Sequence, residues 1–241
     1  MNQPTAREPV AGDLLVASIM LADGVFNQTV VLVLDADEDG ALGVILNEIS
    51  QTPLDAVLPD WVGTVSEPRL LFHGGPVSPN GAICLASVAA DGEEPPGWRP
   101  LFDSVGLLHL DTPIEIVSGA YRDLRIFAGY AGWASGQLQA EISEGMWHLV
   151  PADYSDVFGG QPLELWRTVL RRQQGEIAFF SGGMEQLVRV GQVAFSGNIN
   201  LPPQLIPPPP NLPQVSPPPA FGQTLKPTSI NAGSNTECVV Q

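Results

Sequence analysis

The stretch from Leu124 to Leu149 constrains the fold more strongly than any other part of this sequence. An apolar, strand-like segment is followed by three spaced glycines, a short amphipathic segment and a second run that carries a tryptophan. The glycines, Gly129, Gly132 and Gly136, permit close backbone approach and positive φ angles. Their spacing differs from the GxGxxG pattern of a dinucleotide-binding loop, and no βαβ unit surrounds them. The stretch therefore predicts a fixed strand–turn–helix–strand corner rather than a nucleotide site.

Apolar runs rich in β-branched residues and bounded by turn residues predict most of the strands. These runs lie at 14–20, 29–34, 41–46, 70–72, 82–87, 105–110, 113–117 and 177–180. Two helices are predicted from prolines at a first helical position, one after Thr52 and one that begins at Pro162 and ends at a Gly175 cap. Strands and helices do not alternate regularly, so the pattern favours an α+β domain over a doubly wound sheet.

Composition divides the chain into four parts. A polar leader (1–11) precedes an α+β domain (12–182), a transition segment (183–199) and a proline-rich tail (200–241). Proline at the density of the tail favours polyproline II or disorder. A ligand for a proline-recognising partner is the alternative interpretation, and a disordered tail is preferred because the sequence contains no sign of a partner.

Charge and cysteine usage narrow the partners and the compartment. Lysine and arginine number 10 against 26 aspartates and glutamates, which gives a net charge of −16. This balance disfavours nucleic-acid binding, which relies on basic residues to neutralise phosphates. Two cysteines, Cys84 and Cys238, do not make a disulfide framework, as is usual in a reducing compartment. No signal peptide and no apolar run of roughly 18 residues is present, so a cytoplasmic protein without membrane contact is predicted.

The sequence contains no recognisable catalytic signature. Phosphate-loop, nucleophile-elbow, zinc-helix and paired-cysteine motifs are missing, so we predict no catalytic residue, no metal and no cofactor. His73, His109 and His148 are interpreted as hydrogen-bonded structural histidines, because a metal site usually needs three or four ligands. Glu141 and Glu144 are neighbours at i, i+3 on a helix and are interpreted as a solvated face.

Several segments together resemble one family of bacterial proteins, the YqgE/AlgH family. They are GDLLVAS, GVFNQTVVLVLD, GALGVILN, LFHGGPVSP, LLHLD, FAGYAGWASGQLQAEISEGMWHLVPAD, DVF and LWRTVLRRQ, in this order between Gly12 and Phe180. The resemblance implies an α+β fold with branched mixed and antiparallel sheets, of which part closes into a small barrel, surrounded by helices. It implies no established enzyme activity or cofactor. The family carries the label of a transcriptional regulator, which is a genetic inference and not a mechanism.

The sequence departs from the family pattern in three places. The turn at 35–40 is all acid, alanine and glycine, where the family often has a histidine. Asn47-Glu48-Ile49-Ser50 replaces the Asn-Arg-Pro-Ser segment of the family, so an anion site built on that arginine and proline is not expected here. The proline-rich tail lies outside the family pattern. His73 is not a fixed feature of the family, which disfavours it as a catalyst.

We predict a non-enzymatic module that binds a protein or a small molecule, with an indirect regulatory role. The expected surface is a groove between two glycine-rich loops, with the candidate residues His73, Gly74, Gly75, Pro76, Gly129, Tyr130, Gly132, Trp133, Gly136 and Gln137. One alternative is an undiscovered enzyme that uses His73, His109, Asp111 and Glu141. A second alternative is direct DNA binding through a basic face that contains Arg167, Arg171 and Arg172.

Overall fold

The computed structural model describes residues 7–21, 24–89, 94–173 and 228–229. The chain forms two compact units, Met1–Trp166 with Pro218–Gln241, and Arg167–Pro217. The predicted strand at 177–180, the Gly175 cap and the boundaries at 182 and 199 lie outside the described residues. So does the proline-rich tail, except for Thr228 and Ser229.

Strands dominate the described residues. They are β1 Asp13–Ala17, β2 Val30–Asp37, β3 Gly40–Ile45, β4 Leu71–His73, β5 Val77–Val88, β6 Trp98–Phe102, β7 Val105–Leu108, β8 Tyr121–Ala134, β9 Trp147–Pro151 and β10 Thr228–Ser229. The helices are α1 Leu54–Val57, α2 Ile114–Val117, α3 Gln137–Ser143, α4 Tyr154–Phe158 and α5 Leu165–Arg172. Single 3-10 turns cover Ile19–Leu21, Pro59–Trp61 and Pro162–Glu164.

The strands form one branched sheet with the order β6-β7-β5-β8-β3-β2-β1-β9. β4 and β10 branch off this path, β4 beside β8 and β10 beside β5. The β4–β8 pair is parallel and the other pairs are antiparallel. The sheet curls into a half-barrel accompanied by several helices, which confirms the predicted α+β fold.

The core explains which apolar runs were recognisable in the sequence. Leu14–Ala17 and Val30–Leu34 are fully buried, so both faces of β1 and β2 are covered and their runs are continuously apolar. On another part of the sheet, Leu54 of α1, Trp61 and Val117 of α2 pack into one cluster with buried residues of β5 and β8. Trp61 thus shares a core cluster with Leu54 of α1.

Two strand predictions were wrong in part or in whole. The run 113–117 alternates like a strand, but Ile114–Val117 form α2. Pro113 fixes the backbone at the entry to this turn, and Val117 lies three residues after the partly buried Ile114, on the same side of the helix. The run 14–20 ends as a strand at Ala17, because the Ser18 hydroxyl accepts the Met20 N–H at 3.2 Å and the chain turns there.

No helix in the described ranges has the length and the apolar character needed to cross a membrane.

Candidate functional site

The two glycine-rich loops predicted from the sequence lie side by side. The Gly74 N–H donates to the Ala128 carbonyl oxygen at 2.7 Å, where β4 joins β8. Gly129 has a φ of +73°, and a Cβ built there would lie 2.5 Å from the Gly75 carbonyl oxygen. A Cβ on Gly75 would overlap the backbone of Tyr130. Backbone therefore fills the space between these loops, and the glycines are required for that contact.

The outward-facing part of this corner is a bulge in β5. The register between β5 and β8 shifts between Val77 and Ala82. Ser78 has a φ of +47°, which is uncommon for a residue with a side chain. Pro76 and the residues Ser78, Pro79 and Asn80 are exposed, whereas Gly74 and Gly75 are buried. A partner at this corner would meet the bulge and not the glycines.

The second half of the corner is organised by Glu141 of α3. One carboxylate oxygen, Oε2, accepts the indole N–H of Trp133 at 2.9 Å and that of Trp147 at 2.8 Å. The other oxygen accepts from Nε2 of Gln137 at 2.9 Å. The interpretation of Glu141 as part of a solvated face was therefore wrong, although Glu144 is exposed. Sequence spacing along α3 does not show that tryptophans on β8 and β9 converge on this acid.

Phe26 completes an aromatic cluster with Trp133 and Trp147. Its ring stacks on Trp133 with centroids 6.1 Å apart and meets Trp147 edge-on at 5.4 Å. The two indoles are themselves perpendicular, with centroids 6.0 Å apart. Both tryptophans are almost fully buried. Because packing and hydrogen bonds fix these rings together, the aromatic cluster is a rigid base for whatever surface lies above it.

Three exposed apolar residues, which sequence reasoning missed, lie close in the chain to Phe26 of this cluster and are called the apolar patch. Ile19, Met20 and Val25 are 49%, 67% and 46% exposed. The Met20 sulfur lies 3.9 Å from a Cβ position built on Gly145, at the end of α3. Val25 directly precedes Phe26 of the aromatic cluster. In the sequence, these residues are marked by the apolar run that continues past Ser18, which was interpreted as the end of the strand predicted at 14–20.

The three histidines occupy different environments. His73 Nδ1 lies 3.2 Å from Oε2 of Glu48, within ion-pair distance but without an aligned hydrogen bond. His109 Nδ1 lies 3.4 Å from Oδ2 of Asp111 on an exposed turn after β7. His148 is in β9, where burial lowers the pKa of its imidazole.

These placements bear on the enzyme alternative. Of its four residues, His109 and Asp111 come within reach of each other, and both are largely exposed, at 47% and 71%. The polar contacts of Glu141 are with indole and amide N–H groups. The described part of the chain holds no group of three histidine, cysteine or acidic side chains suited to a metal ion.

A buried arginine on β8 is the other feature that the sequence analysis overlooked. Arg125 donates to the carbonyl oxygens of Val157, of Gly159 at 3.2 Å and of Glu67 at 3.4 Å, and its guanidinium lies 4.6 Å from the centre of the Phe72 ring. Burial lowers the pKa of Arg125 to about 10. Its contacts with backbone carbonyls tie β8 to the end of α4, which is a structural role. In the sequence, the buried position of Arg125 could have been inferred from its place as the single basic residue within the apolar run LRIF.

A neighbouring polar cluster is centred on Asp123. Its carboxylate accepts from the Tyr154 hydroxyl and, at 2.8 Å, from the Ser66 hydroxyl. The Arg122 guanidinium lies over the Tyr154 ring at 4.6 Å. Burial, and then the hydrogen bond to Asp123, raises the pKa of Tyr154. These side chains satisfy one another, so the cluster fastens α4 to β8.

The arginines of the DNA-binding alternative lie on one helix. Arg167, Arg171 and Arg172 belong to α5, with the last two in its final turn. There they complement the helix dipole.

Comparison with known proteins gives one consistent result. The family model described as AlgH-like matches residues 14–178. A UPF0301 protein of Streptomyces coelicolor is 45% identical over 181 residues, which cover 74% of this chain and 94% of that protein. A UPF0301 protein of Mycobacterium tuberculosis is 40% identical over 172 residues, which cover 70% of this chain and 85% of that protein.

Two solved structures share the fold. A crystal structure of a Corynebacterium diphtheriae protein has a TM-score of 0.69 and 30% identity, and it covers 73% of this chain and 93% of its own. The solution structure of the AlgH protein from Pseudomonas aeruginosa has a TM-score of 0.55 and 26% identity, and it covers 75% of this chain and 97% of its own. These two matches describe similarity of the fold and do not assign a chemical reaction.

Proposed function

The chain belongs to the AlgH-like family, and from that premise we propose that it is a non-enzymatic protein-binding module whose contact surface is the apolar patch of Ile19, Met20 and Val25. One observation carries this proposal. Three large apolar side chains, each about half exposed or more, fall within seven consecutive positions. Isolated exposed apolar residues are ordinary, but grouped ones mark interaction surfaces.

The base of the patch supports this reading. Binding surfaces gain most from apolar anchors held on rigid elements, because little side-chain freedom is then lost on association. The aromatic cluster and its hydrogen bonds to Glu141 provide such a base. Trp133 and Gln137, two of the candidate residues predicted from the sequence, act as this support. Burying a fully exposed Ile or Met side chain contributes roughly 1.5–3 kcal/mol, and because Ile19 and Met20 are 49% and 67% exposed, covering either one contributes about 1–2 kcal/mol.

Charge selects the class of partner. Because each copy of the chain has a net charge of −16, two copies repel each other, which opposes self-association through this patch. Glu144, which is exposed, precedes the Gly145 that Met20 approaches, so the rim of the patch carries negative charge. The partner that fits is a different protein with an apolar segment flanked by lysine or arginine. We place the contact in the cytoplasm, as cysteine usage suggests, and assign the indirect regulatory role to this contact.

A photo-crosslinking amino acid at position 20 tests the proposal in cells that produce the full chain. We expect a discrete crosslinked product with one other protein, lost when Ile19→Ser and Val25→Ser are added. The matched control places the crosslinker at Ile116, which is 42% exposed on α2. The same product from both positions would overturn the proposal, as would a product that survives the two serine substitutions.

Self-association is the competing outcome. If the product at position 20 is a dimer of this chain, and sedimentation shows a dimer that Met20→Ser dissociates, the patch serves a second copy and the proposed partner class is wrong.

A further inference from the structure

The helix α3 lies between the apolar patch and an acidic turn. At the start of the helix, the Ser135 hydroxyl donates to the Glu38 carbonyl oxygen at 2.5 Å, which holds the turn between β2 and β3 beside it. At the end of the helix, the Met20 sulfur lies 3.9 Å from a Cβ position built on Gly145. The 7 residues of α3 rise about 1.5 Å each, so the turn and the patch lie at opposite ends of a helix about 10 Å long.

The outer face of α3 carries small and polar side chains. Leu138 is buried on the side of the sheet. The exposed residues follow the spacing of one helix face and are Gln139, Ala140, Ser143 and Glu144. Because Ala140 and Ser143 are small, the backbone of another chain can approach this face closely. The outer face of α3 therefore offers a path from the patch to the turn.

The turn at the far end of this path carries negative charge. Its exposed acids are Asp35, Asp37, Glu38 and Asp39. The ion pairs within the described ranges involve other acids, so no basic side chain there neutralises the turn. A partner that meets both ends of α3 therefore needs an apolar group at one end and a cation at the other.

We propose that the apolar patch, the outer face of α3 and the β2–β3 turn form one docking surface, and that its occupant is a segment of a different protein with apolar residues at one end and lysine or arginine at the other. This inference rests on the proposed function, which supplies the apolar contact, and it adds the contact at the turn and the line along which the segment lies. A span of about 10 Å separates the two kinds of residue by about seven positions in a helix or about three in an extended segment. The apolar contact supplies affinity, and the charges set orientation and the rate of association.

Photo-crosslinking along α3 tests the line of the partner in cells that produce the full chain. A crosslinker at Gln139 or at Ser143 should capture the same protein as one at Met20, whereas one at Ala56, exposed on α1, should not capture it. Mass spectrometry of the product at Gln139 should find lysine or arginine in the captured segment.

The outcomes separate this inference from the proposed function. Capture at Met20 but at neither position of α3 would overturn the inference and leave the proposed function standing. An acidic segment captured at Gln139 would also overturn it. Capture at none of the three positions would overturn both.

Charge reversal tests the contact at the turn. Glu38→Lys/Asp39→Lys should lower the yield of the crosslink at Met20 about five- to tenfold, because repulsion replaces attraction at the basic end of the partner. Asp55→Lys/Asp60→Lys is the matched control, since it changes the net charge equally at exposed positions on and just after α1. It should lower the yield by less than about twofold, because charges beyond a Debye length are largely screened. Equal losses in the two variants would overturn the inference, because net charge alone would then explain them.

Discussion

The buried indoles of Trp133 and Trp147 both donate their N–H groups to the same carboxylate oxygen of Glu141. Buried donors that lose their acceptor cost about 1–3 kcal/mol each. Glu141→Ala should therefore lower the free energy of unfolding by about 2–4 kcal/mol, measured by denaturant titration with tryptophan fluorescence. Glu144→Ala is the matched control, since it truncates an exposed glutamate beside the same helix and should change stability by less than about 0.5 kcal/mol. Similar losses in the two variants would show that the indole contacts contribute little.

His148 gives a pH dependence with a definite sign. Burial lowers the pKa of its imidazole in the folded protein, whereas the unfolded chain keeps the ordinary value of 6.5. As pH falls below 6.5, His148 becomes protonated in the unfolded chain before it does so in the folded protein. Protonation therefore favours the unfolded chain, and the free energy of unfolding decreases between pH 6.5 and the lower pKa of His148 in the folded protein.

Denaturant titrations at pH 7.5 and pH 5.5 measure this loss. His148→Gln, which cannot titrate, should lose less stability than the native chain between these values. An unchanged pH dependence in His148→Gln would contradict the assignment.

Two glycines with nearly the same backbone conformation, one at the contact between the β4–β5 turn and β8 and one at the start of α3, distinguish the cost of backbone strain from the cost of a steric clash. Gly129 has a φ of +73° and Gly136 a φ of +72°. A Cβ on Gly136 meets nothing within 4 Å, whereas one on Gly129 would lie 2.5 Å from the Gly75 carbonyl oxygen. Gly136→Ala should cost about 1–2 kcal/mol from the left-handed conformation alone. Gly129→Ala should cost about 3–4 kcal/mol or more, because backbone must also move. Thermal or denaturant unfolding checks the order, and equal costs would mean that the two loops are not in close contact.

The excess of acidic residues acts on the molecule as a whole. Repulsion among like charges destabilises the compact state, and salt screens it. Raising NaCl from 0.02 to 0.5 M should increase the free energy of unfolding of the full chain. Glu38→Lys/Asp39→Lys, in the exposed turn between β2 and β3, removes two negative charges and adds two positive ones, so the net charge changes from −16 to −12 and the increase should be weaker. Lower stability in 0.5 M salt would show that favourable ion pairs, such as Arg7–Asp13 at 2.6 Å, outweigh the repulsion.

The sequence by itself determined the family, the α+β class and the corner from Leu124 to Leu149, because these depend on local signals. Continuous apolar runs mark strands covered on both faces, and spaced glycines mark a backbone that must turn or approach another closely. The tertiary structure alone decided what Glu141 does, where the apolar patch lies, that Ile114–Val117 form a helix, and that Arg125 is held by carbonyl oxygens. Each of these depends on residues far apart in the chain or on packing against the sheet. The spacing of residues along one segment does not show which distant residues will pack around it. The contacts with those distant residues determine hydrogen bonding, burial and exposure.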